Sequence, residues 1–229
     1  MDGEPDVAFV ASLLGDASRA AMCLALMDGR RVPASELARR AGVSAQTASN
    51  HLAKLIDGGI VAVEHHGRWH YYRLASEEIA HAVEALAVVA PRARRNTIGP
   101  NGRDQQELSA ARTCYRHLAG KLGVAITDAL LRQEWIAVSR NDYTITAEGA
   151  RRLEVLGIDL QGLRRAQRAV ARRCLDWSER RPHLAGPLGK ALADLAFARD
   201  WIRRQKGTRA VLVTPFGRSE LKRLLRVNV

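Results

Sequence analysis

The sequence predicts a mainly α-helical fold with small β-hairpins, divided into an N-terminal domain and a C-terminal pair of similar repeats. Within residues 32–74, two segments with helical spacing of apolar residues precede two short segments rich in β-branched and aromatic residues. Farther along, the heptapeptide His117–Gly123 recurs almost unchanged as His183–Gly189. Such internal similarity indicates a structural unit that is used twice.

Two consecutive helices are predicted in the N-terminal domain, Ser35–Ala41 and Ala45–Asp57. Gly42 permits a sharp turn between them, and Ser44 is a good N-cap for the second helix. The apolar residues of the second helix share one face, which we expect to be buried: Ala48, Leu52, Leu55 and Ile56.

The opposite face of the second helix is polar and carries groups that can hydrogen-bond to base edges or phosphates. The candidate DNA-contacting residues are Ser44, Gln46, Thr47, Ser49, Asn50, His51 and Lys54. Ile60–Glu64 and His70–Leu74 then predict two strands joined by a turn, where Arg68 can enter the minor groove or contact a phosphate. Helix, turn, polar helix and basic hairpin together describe a winged helix-turn-helix, which is a DNA-binding fold.

Four motifs in this region resemble the ArsR/SmtB family of transcriptional regulators. In chain order they are LGDASR (14–19), ELARRAGVS (36–44), SNHLAKLIDGGIV (49–61) and GRWHYYRL (67–74). The resemblance covers about residues 7–90. It implies a bacterial regulator, usually a repressor, that binds a palindromic operator as a homodimer. It also implies that the first and last helices of the domain, about Val7–Leu14 and Glu77–Val89, form the dimer.

The metal sites that some members of this family carry are not reproduced here. The segment Ser35–Arg39 contains no thiol, and Ser76, Glu78 and Val89 occupy positions where other members have ligands. His81 and Glu84 have a ligand-like spacing at a different offset, and we predict that they form a surface pair on an amphipathic helix. These departures argue against metal sensing at the usual sites and do not affect DNA binding.

The composition argues against a membrane protein and against a secreted protein held together by disulfides. No stretch approaches the roughly 18 uninterrupted apolar residues that a membrane-spanning helix needs, and the acidic N-terminus lacks the features of a signal peptide. The 3 cysteines are odd in number and widely spaced, which fits a reducing compartment better than a disulfide framework. We therefore expect a cytoplasmic protein without a membrane partner.

Positive charge is concentrated in the C-terminal part. The net charge of +12 divides into −3 for residues 1–90 and +15 for residues 91–229. The positive charge of residues 91–229 is explained either by arginines on solvated helix faces or by contacts of this part with the DNA backbone or an acidic effector. A run at helical spacing predicts a basic stripe on one helix: Arg164, Arg165, Arg168, Arg172 and Arg173.

The predicted domain organisation follows from these patterns. Residues 1–90 form the DNA-binding domain, residues 91–106, rich in Pro, Gly, Asn and Arg, form a linker, and residues 107–229 form a C-terminal domain. The two repeats occupy about 107–157 and 161–227, and each is predicted as a winged-helix-like unit of helix, loop, helix, short hairpin and closing helix. No helix of the repeats is long enough to include a complete base-reading unit, so we predict a sensing or dimerisation role.

One set of residues in the repeats has metal-binding potential. Cys114 and His117 are predicted to share a helix face, and Cys174 ends the corresponding helix with Asp176 and His183 close behind. If the repeats pack about a twofold axis, two thiolates and two imidazoles converge, and zinc is a possible cofactor. Two other interpretations stay open: buried cysteines with capping histidines, and a thiol redox switch.

The sequence predicts no enzyme, because no orienting group or oxyanion-stabilising element accompanies Cys114 and His117. The predicted function is a transcriptional regulator, usually a repressor, whose affinity for double-stranded DNA is modulated by a small-molecule or metal effector through the C-terminal domain. The alternatives are an architectural DNA-binding protein without an effector, a metal- or thiol-responsive sensor using the cysteines and histidines, and an adaptor that binds a protein partner.

Overall fold

The computed structural model describes residues 3–91, 102–166 and 169–228. The chain forms two compact units, one containing the residues up to Val83 and the other containing Glu84–Ala90 and the residues from Arg103 onward. Most of the predicted linker, residues 92–101, lies outside the described residues. A helix begins at Gly102, so the end of the interval predicted as linker is helical. The domain boundaries at residues 90 and 107 stay predictions.

The described residues up to Val83 form four helices and three strands and begin a fifth helix, which ends among the residues of the second unit. In chain order these are α1 (Val7–Leu14), α2 (Ala17–Leu26), β1 (Val32–Pro33), α3 (Ala34–Ala41), α4 (Ala45–Asp57), β2 (Val61–His66) and β3 (Trp69–Leu74), followed by α5 (Glu77–Val89). The two helices predicted from apolar spacing are therefore confirmed as α3 and α4. The hairpin extends farther than predicted, which leaves only Gly67 and Arg68 in its turn.

The turn between α3 and α4 places the polar face of α4 outward. Gly42 ends α3 in the left-handed conformation, with φ of 67°, which glycine adopts without a Cβ clash. Ser44 then caps α4 by accepting a hydrogen bond from the Thr47 amide. Leu52 and Leu55 are buried on the inner face of α4. Three antiparallel strands in the order β1-β3-β2 complete the unit and form the wing.

The second unit contains six helices and eight strands among its described residues, counting α6 but not α5. They are α6 (Gly102–Ala110), β4 (Arg112–Cys114), β5 (His117–Ala119), α7 (Gly120–Arg132), β6 (Ile136–Ser139), β7 (Asp142–Ile145), α8 (Ala147–Val155), α9 (Leu160–Ala166), β8 (Arg172–Leu175), β9 (Pro182–Ala185), α10 (Gly186–Ala198), β10 (Ile202–Arg204), β11 (Val211–Val213) and α11 (Pro215–Leu225). The repeat is confirmed: helix, hairpin, helix, hairpin and helix occur twice, beginning with α6 in the first copy and with α9 in the second. Thr146 and Thr214 cap the closing helices in the same way.

Each repeat opens with a helix as predicted, but the prediction that Cys114, His117 and Cys174 belong to these helices is wrong, because α6 ends at Ala110 and α9 ends at Ala166. Residues 112–119 form an antiparallel hairpin in which Cys114 and His117 are directly opposite, and residues 172–185 form another in which Cys174 is opposite His183. A two-residue turn gives facing residues the same i, i+3 spacing as a helix face, so spacing alone did not separate the two. The predicted arginine stripe is wrong for a related reason: Arg164 and Arg165 lie in α9, Arg172 and Arg173 lie in β8, and Arg168 lies outside the described residues.

The two repeats interlock in one hydrophobic core. The Val211 amide donates to the Ala111 carbonyl and the Thr113 amide to the Arg209 carbonyl, so the first hairpin of one repeat pairs with the second hairpin of the other. The converse pairing occurs at the Tyr143 amide, which donates to the Ala171 carbonyl. Core residues come from both copies: Leu122, Leu130, Trp135, Leu188, Trp201 and Leu221.

No single helix in the described ranges combines the length and hydropathy of a bilayer span; α1 and α2 reach them only as a pair, which is bent by 91°.

Candidate nucleic-acid interface and a buried cysteine–histidine cluster

The polar face of α4 is accessible along its length. Six of the seven predicted contact residues on this helix are exposed: Ser44, Gln46, Thr47, Ser49, Asn50 and Lys54. Gln46 Nε2 lies 3.4 Å from Asn50 Oδ1, so the two amide side chains form a weak pair one helical turn apart. Amide groups arranged in this way offer both donors and acceptors to a surface placed against α4.

Two of these residues have a structural task as well. Ser44 Oγ accepts from the Thr47 amide at 3.1 Å and lies 2.8 Å from Thr47 Oγ1. The pair therefore fixes the start of α4, and the remaining lone pairs and hydroxyl hydrogens face solvent.

His51 differs from the other predicted contact residues. Its side chain is only 17% exposed, and its Nδ1 lies 3.9 Å from Oδ1 of Asp16, the N-cap of α2. The hydrogen bond from the Arg19 amide, assisted by the His51 charge, lowers the pKa of Asp16. His51 thus packs beside the start of α2 at a distance too long for a hydrogen bond, a location that its position among polar residues did not reveal.

The tip of the wing is basic and aromatic. Arg68 is exposed in the turn, and its guanidinium carbon lies 5.1 Å from the centre of the Trp69 ring. Trp69 is itself 58% exposed, which is unusual for tryptophan and was not singled out from the sequence. At the base of the wing, hydrogen bonds from Arg73 and Arg31 lower the pKa of Glu64.

The second unit brings together the four predicted metal-ligand candidates, although by hairpins rather than helices. One ligand atom each from Cys114, His117, Cys174 and His183 lies within 4.8 Å of all the others, and all four residues are buried. The two Nε2 atoms of the histidines are 3.0 Å apart. Each repeat therefore contributes one cysteine and one histidine from facing positions of its first hairpin.

Two glycines create the space in which the histidines meet. A Cβ on Gly123 would lie 2.4 Å from the Leu118 carbonyl oxygen, and one on Gly189 would lie 2.6 Å from the Leu184 carbonyl oxygen. The same added Cβ atoms would face the histidine of the other repeat, at 3.6 Å from His183 Cβ and 3.1 Å from His117 Cβ. Without side chains at these positions, α7 and α10 approach the opposite hairpin closely.

A buried charge network adjoins the cluster. Arg112 is fully buried and donates to Asp176 Oδ2 at 3.0 Å, while Nδ1 of His183 lies 3.2 Å from the same oxygen. The Gly120 amide at the start of α7 also donates to this oxygen at 2.7 Å. Burial opposes ionisation of Asp176, but His183, Arg112 and further hydrogen bonds outweigh it and hold the pKa of the carboxyl far below its usual value.

Glu84 belongs to this network, so the prediction of a surface pair with His81 is wrong. The Glu84 side chain is 3% exposed, and its carboxylate lies 3.5 Å from Arg112 and 4.0 Å from Arg209.

The two thiols of the cluster differ in the direction in which their pKa values are shifted. A hydrogen bond to Cys174 and burial raise the pKa of the Cys114 thiol. The donor groups of Cys114, His117 and His183 lower the pKa of Cys174 despite burial. Burial lowers the pKa of His117, whereas for His183 the carboxylate of Asp176 and the sulfur of Cys174 outweigh burial and raise it. The pKa shifts therefore run in opposite directions for the two thiols and for the two imidazoles.

The helix, turn, helix and hairpin of the first unit, with an exposed polar face on its second helix, define a winged helix-turn-helix protein. Residues 14–64 match the model of a family described as "Helix-turn-helix domain". Over 225 residues, 98% of this chain and 99% of the other, the sequence is 42% identical to YdfF of Bacillus subtilis (strain 168), described as an uncharacterized HTH-type transcriptional regulator.

Two solved structures are similar to the N-terminal part. The homodimeric winged helix-turn-helix DNA-binding domain of Mb0332 from Mycobacterium bovis is 30% identical, covers 39% of this chain and 89% of that chain, and has a TM-score of 0.34. The cadmium sensor CMTR from Mycobacterium tuberculosis is 31% identical, covers 40% and 94%, and has a TM-score of 0.34. The full-length relative decides the classification: the chain belongs to the HTH-type transcriptional regulators, and its N-terminal motifs are the ones that resemble the ArsR/SmtB type.

Proposed function

We propose that this regulator binds a palindromic operator as a homodimer, usually repressing transcription, and that the second unit adjusts its affinity in response to an effector. The observation that carries the proposal is the exposed polar face of α4, which begins directly after the turn and is supported from behind by buried leucines. In winged helix-turn-helix proteins this helix enters the major groove, where amide and hydroxyl groups read base edges.

The proposed DNA-contacting residues are those of α4 together with the wing. We assign base contacts to Gln46, Ser49 and Asn50, and we assign phosphate contacts to Ser44, Thr47 and Lys54. His51 remains a proposed contact residue, although it is less exposed than the others because it packs beside Asp16. Arg68 at the wing tip supplies the contact with phosphate or the minor groove.

Exposed apolar side chains support the homodimer. On α1, Val7 is 72% and Phe9 50% exposed, and on the last part of α5, Leu86 is 50% and Val89 75% exposed. Large apolar side chains grouped on a helix commonly mark a protein interface. Replacing Phe9 with Glu should convert the dimer to monomer in analytical ultracentrifugation. Val155→Glu on α8, where the native valine is 85% exposed, is the matched control and should leave the dimer unchanged.

The experiment for the DNA-binding role starts by selecting sequences from a random duplex library with the full-length protein. We expect an enriched inverted repeat. Gln46→Ala or Asn50→Ala should then weaken binding to the selected site by about 1–3 kcal/mol and affect random DNA less. The control is Gln161→Ala, an exposed glutamine on α9. Absence of an enriched sequence, or equal losses on both DNAs at fixed salt, would refute the assignment.

The remaining features of the proposal follow from the same role. The three cysteines are all free and buried, which is suited to the reducing cytoplasm of a bacterium. Binding and release of DNA require no catalytic group, so the proposed function is not enzymatic. An architectural DNA-binding protein would instead bind all duplexes alike in the selection, and that outcome would favour the alternative.

A further inference from the structure

The cysteine–histidine cluster of the second unit brings four potential metal ligands together in a buried position. Two sulfurs and two imidazole nitrogens face one another in a buried position, and the two histidine Nε2 atoms lie 3.0 Å apart, where a hydrogen bond joins them without a metal. We propose that Cys114, His117, Cys174 and His183 form a binding site for a zinc-like divalent metal ion that joins the two repeats. This inference goes beyond the proposed DNA binding and does not depend on it.

The spacing of the ligand atoms is close to that of a tetrahedral site. With zinc–sulfur bonds of about 2.3 Å and zinc–nitrogen bonds of about 2.0–2.1 Å, neighbouring ligand atoms are separated by roughly 3.3–3.8 Å. The two Nε2 atoms lie 3.0 Å apart, and all ligand atoms lie within 4.8 Å of one another. Small shifts of the four side chains would therefore bring these separations to tetrahedral values.

The ligand types select the class of metal. Thiolate and imidazole ligands favour zinc and its thiophilic neighbours, whereas magnesium and calcium require oxygen ligands. Four protein ligands in a buried position leave no place for water or substrate, which is the arrangement of a structural rather than a catalytic zinc site.

A second layer of contacts orients one of the histidines. Nδ1 of His183 lies 3.2 Å from Asp176 Oδ2, so the carboxylate faces the ring nitrogen opposite Nε2, the nitrogen that would bind the metal. Asp176 is itself fixed by the amide of Gly120 and the guanidinium of Arg112. A carboxylate behind a histidine ligand is the usual support of a zinc site, because it sets both the tautomer and the orientation of the ring.

The pairing of one cysteine and one histidine from each repeat gives the ion a structural effect. Because two ligands come from the hairpin of residues 112–119 and two from the hairpin of residues 172–185, binding of the ion cross-links the repeats. Such binding is expected to stabilise the folded second unit by mass action.

The test uses the full-length protein, made metal-free with a chelator under reducing conditions and then titrated with Co²⁺ and with Zn²⁺. We expect one Co²⁺ per chain, with a thiolate-to-cobalt charge-transfer band and the intense visible absorption of tetrahedral cobalt, both abolished when Zn²⁺ displaces the cobalt. Zinc should also raise the midpoint of thermal unfolding. Binding below one ion per chain at saturation, or octahedral cobalt spectra, would overturn the proposal.

Variants assign the binding to this cluster. Cys174→Ser and His117→Gln should each lose the tetrahedral spectrum and weaken binding at least about 10-fold, and Asp176→Asn should weaken it about 10- to 100-fold. The control is Cys23→Ser: Cys23 lies buried in the first unit, where burial raises the pKa of its thiol to about 12, and its loss should leave metal binding unchanged.

Two further outcomes would contradict the site. One is metal binding that persists in both the Cys174 and His117 variants, and the other is a Cys114–Cys174 disulfide in protein purified without reductant, in place of metal. Circular dichroism separates loss of ligands from loss of folding, and the His117→Gln variant keeps the assignment testable if the cysteine variant does not fold. Selection of DNA sequences by the metal-free protein tests the proposed function separately.

Discussion

Replacing Arg112 with Met should cost the second unit about 3–5 kcal/mol of its free energy of unfolding. The guanidinium is fully buried and donates to Asp176 at 3.0 Å, Ser178 at 3.1 Å, the Leu108 carbonyl at 3.2 Å and Glu84 at 3.5 Å. Methionine fills a similar volume but donates nothing. The substitution therefore leaves two buried carboxylates without their shared cation, and the desolvation cost of these charges sets the magnitude.

The matched control is Arg151→Met on α8. Arg151 also pairs with a carboxylate, Glu148, but its side chain is 70% exposed, so its loss should change stability by about 0.5 kcal/mol or less. Urea denaturation followed by tryptophan fluorescence measures both. A Trp69→Phe background restricts the signal to the second unit, because the other tryptophans all lie there: Trp135, Trp177 and Trp201. A loss below about 1 kcal/mol for Arg112→Met would refute the reasoning.

Three further substitutions test the residues that hold α4 and the cysteine–histidine cluster in position. Ser44→Ala removes the cap of α4 and should lower the free energy of unfolding by about 0.5–2 kcal/mol in chemical denaturation; no change would mean that the cap is redundant. Leu52→Ala, at a position only 1% exposed, should cost about 2–5 kcal/mol and reduce DNA binding only in proportion to unfolding. Gly189→Ala places a Cβ 2.6 Å from the Leu184 carbonyl oxygen and should lower stability by about 1–3 kcal/mol, whereas Gly3→Ala, with nothing within 4 Å, should not; equal melting curves for the two would contradict the steric argument.

Local sequence patterns were sufficient to predict most of the secondary structure of the first unit. Apolar spacing located α3 and α4, and Gly42 and Ser44 marked the turn between them, since each signal depends on residues within one or two helical turns. The exposure of the polar face of α4 followed from the same periodicity. His51 was the exception, because its partner Asp16 is distant in sequence.

The second unit was harder to predict because hairpins and helices share the spacing of Cys114 and His117. The repeat nevertheless allowed the prediction that both cysteine–histidine pairs could converge, because equivalent residues of packed repeats lie near their symmetry axis. The surrounding charges were not predicted: Glu84 and Arg112 are brought together by tertiary packing, and no local pattern marks a buried ion pair.

The exchange of hairpin partners between the two repeats limits how this protein can be dissected. If the chain were cleaved between α8 and α9 and the halves separated, Ala111 would lose its donor at Val211 and Ala171 would lose its donor at Tyr143. Each fragment would then expose unpaired backbone and half of a common apolar interior. We therefore expect that neither repeat folds without the other, and that the C-terminal region must be expressed with both repeats present.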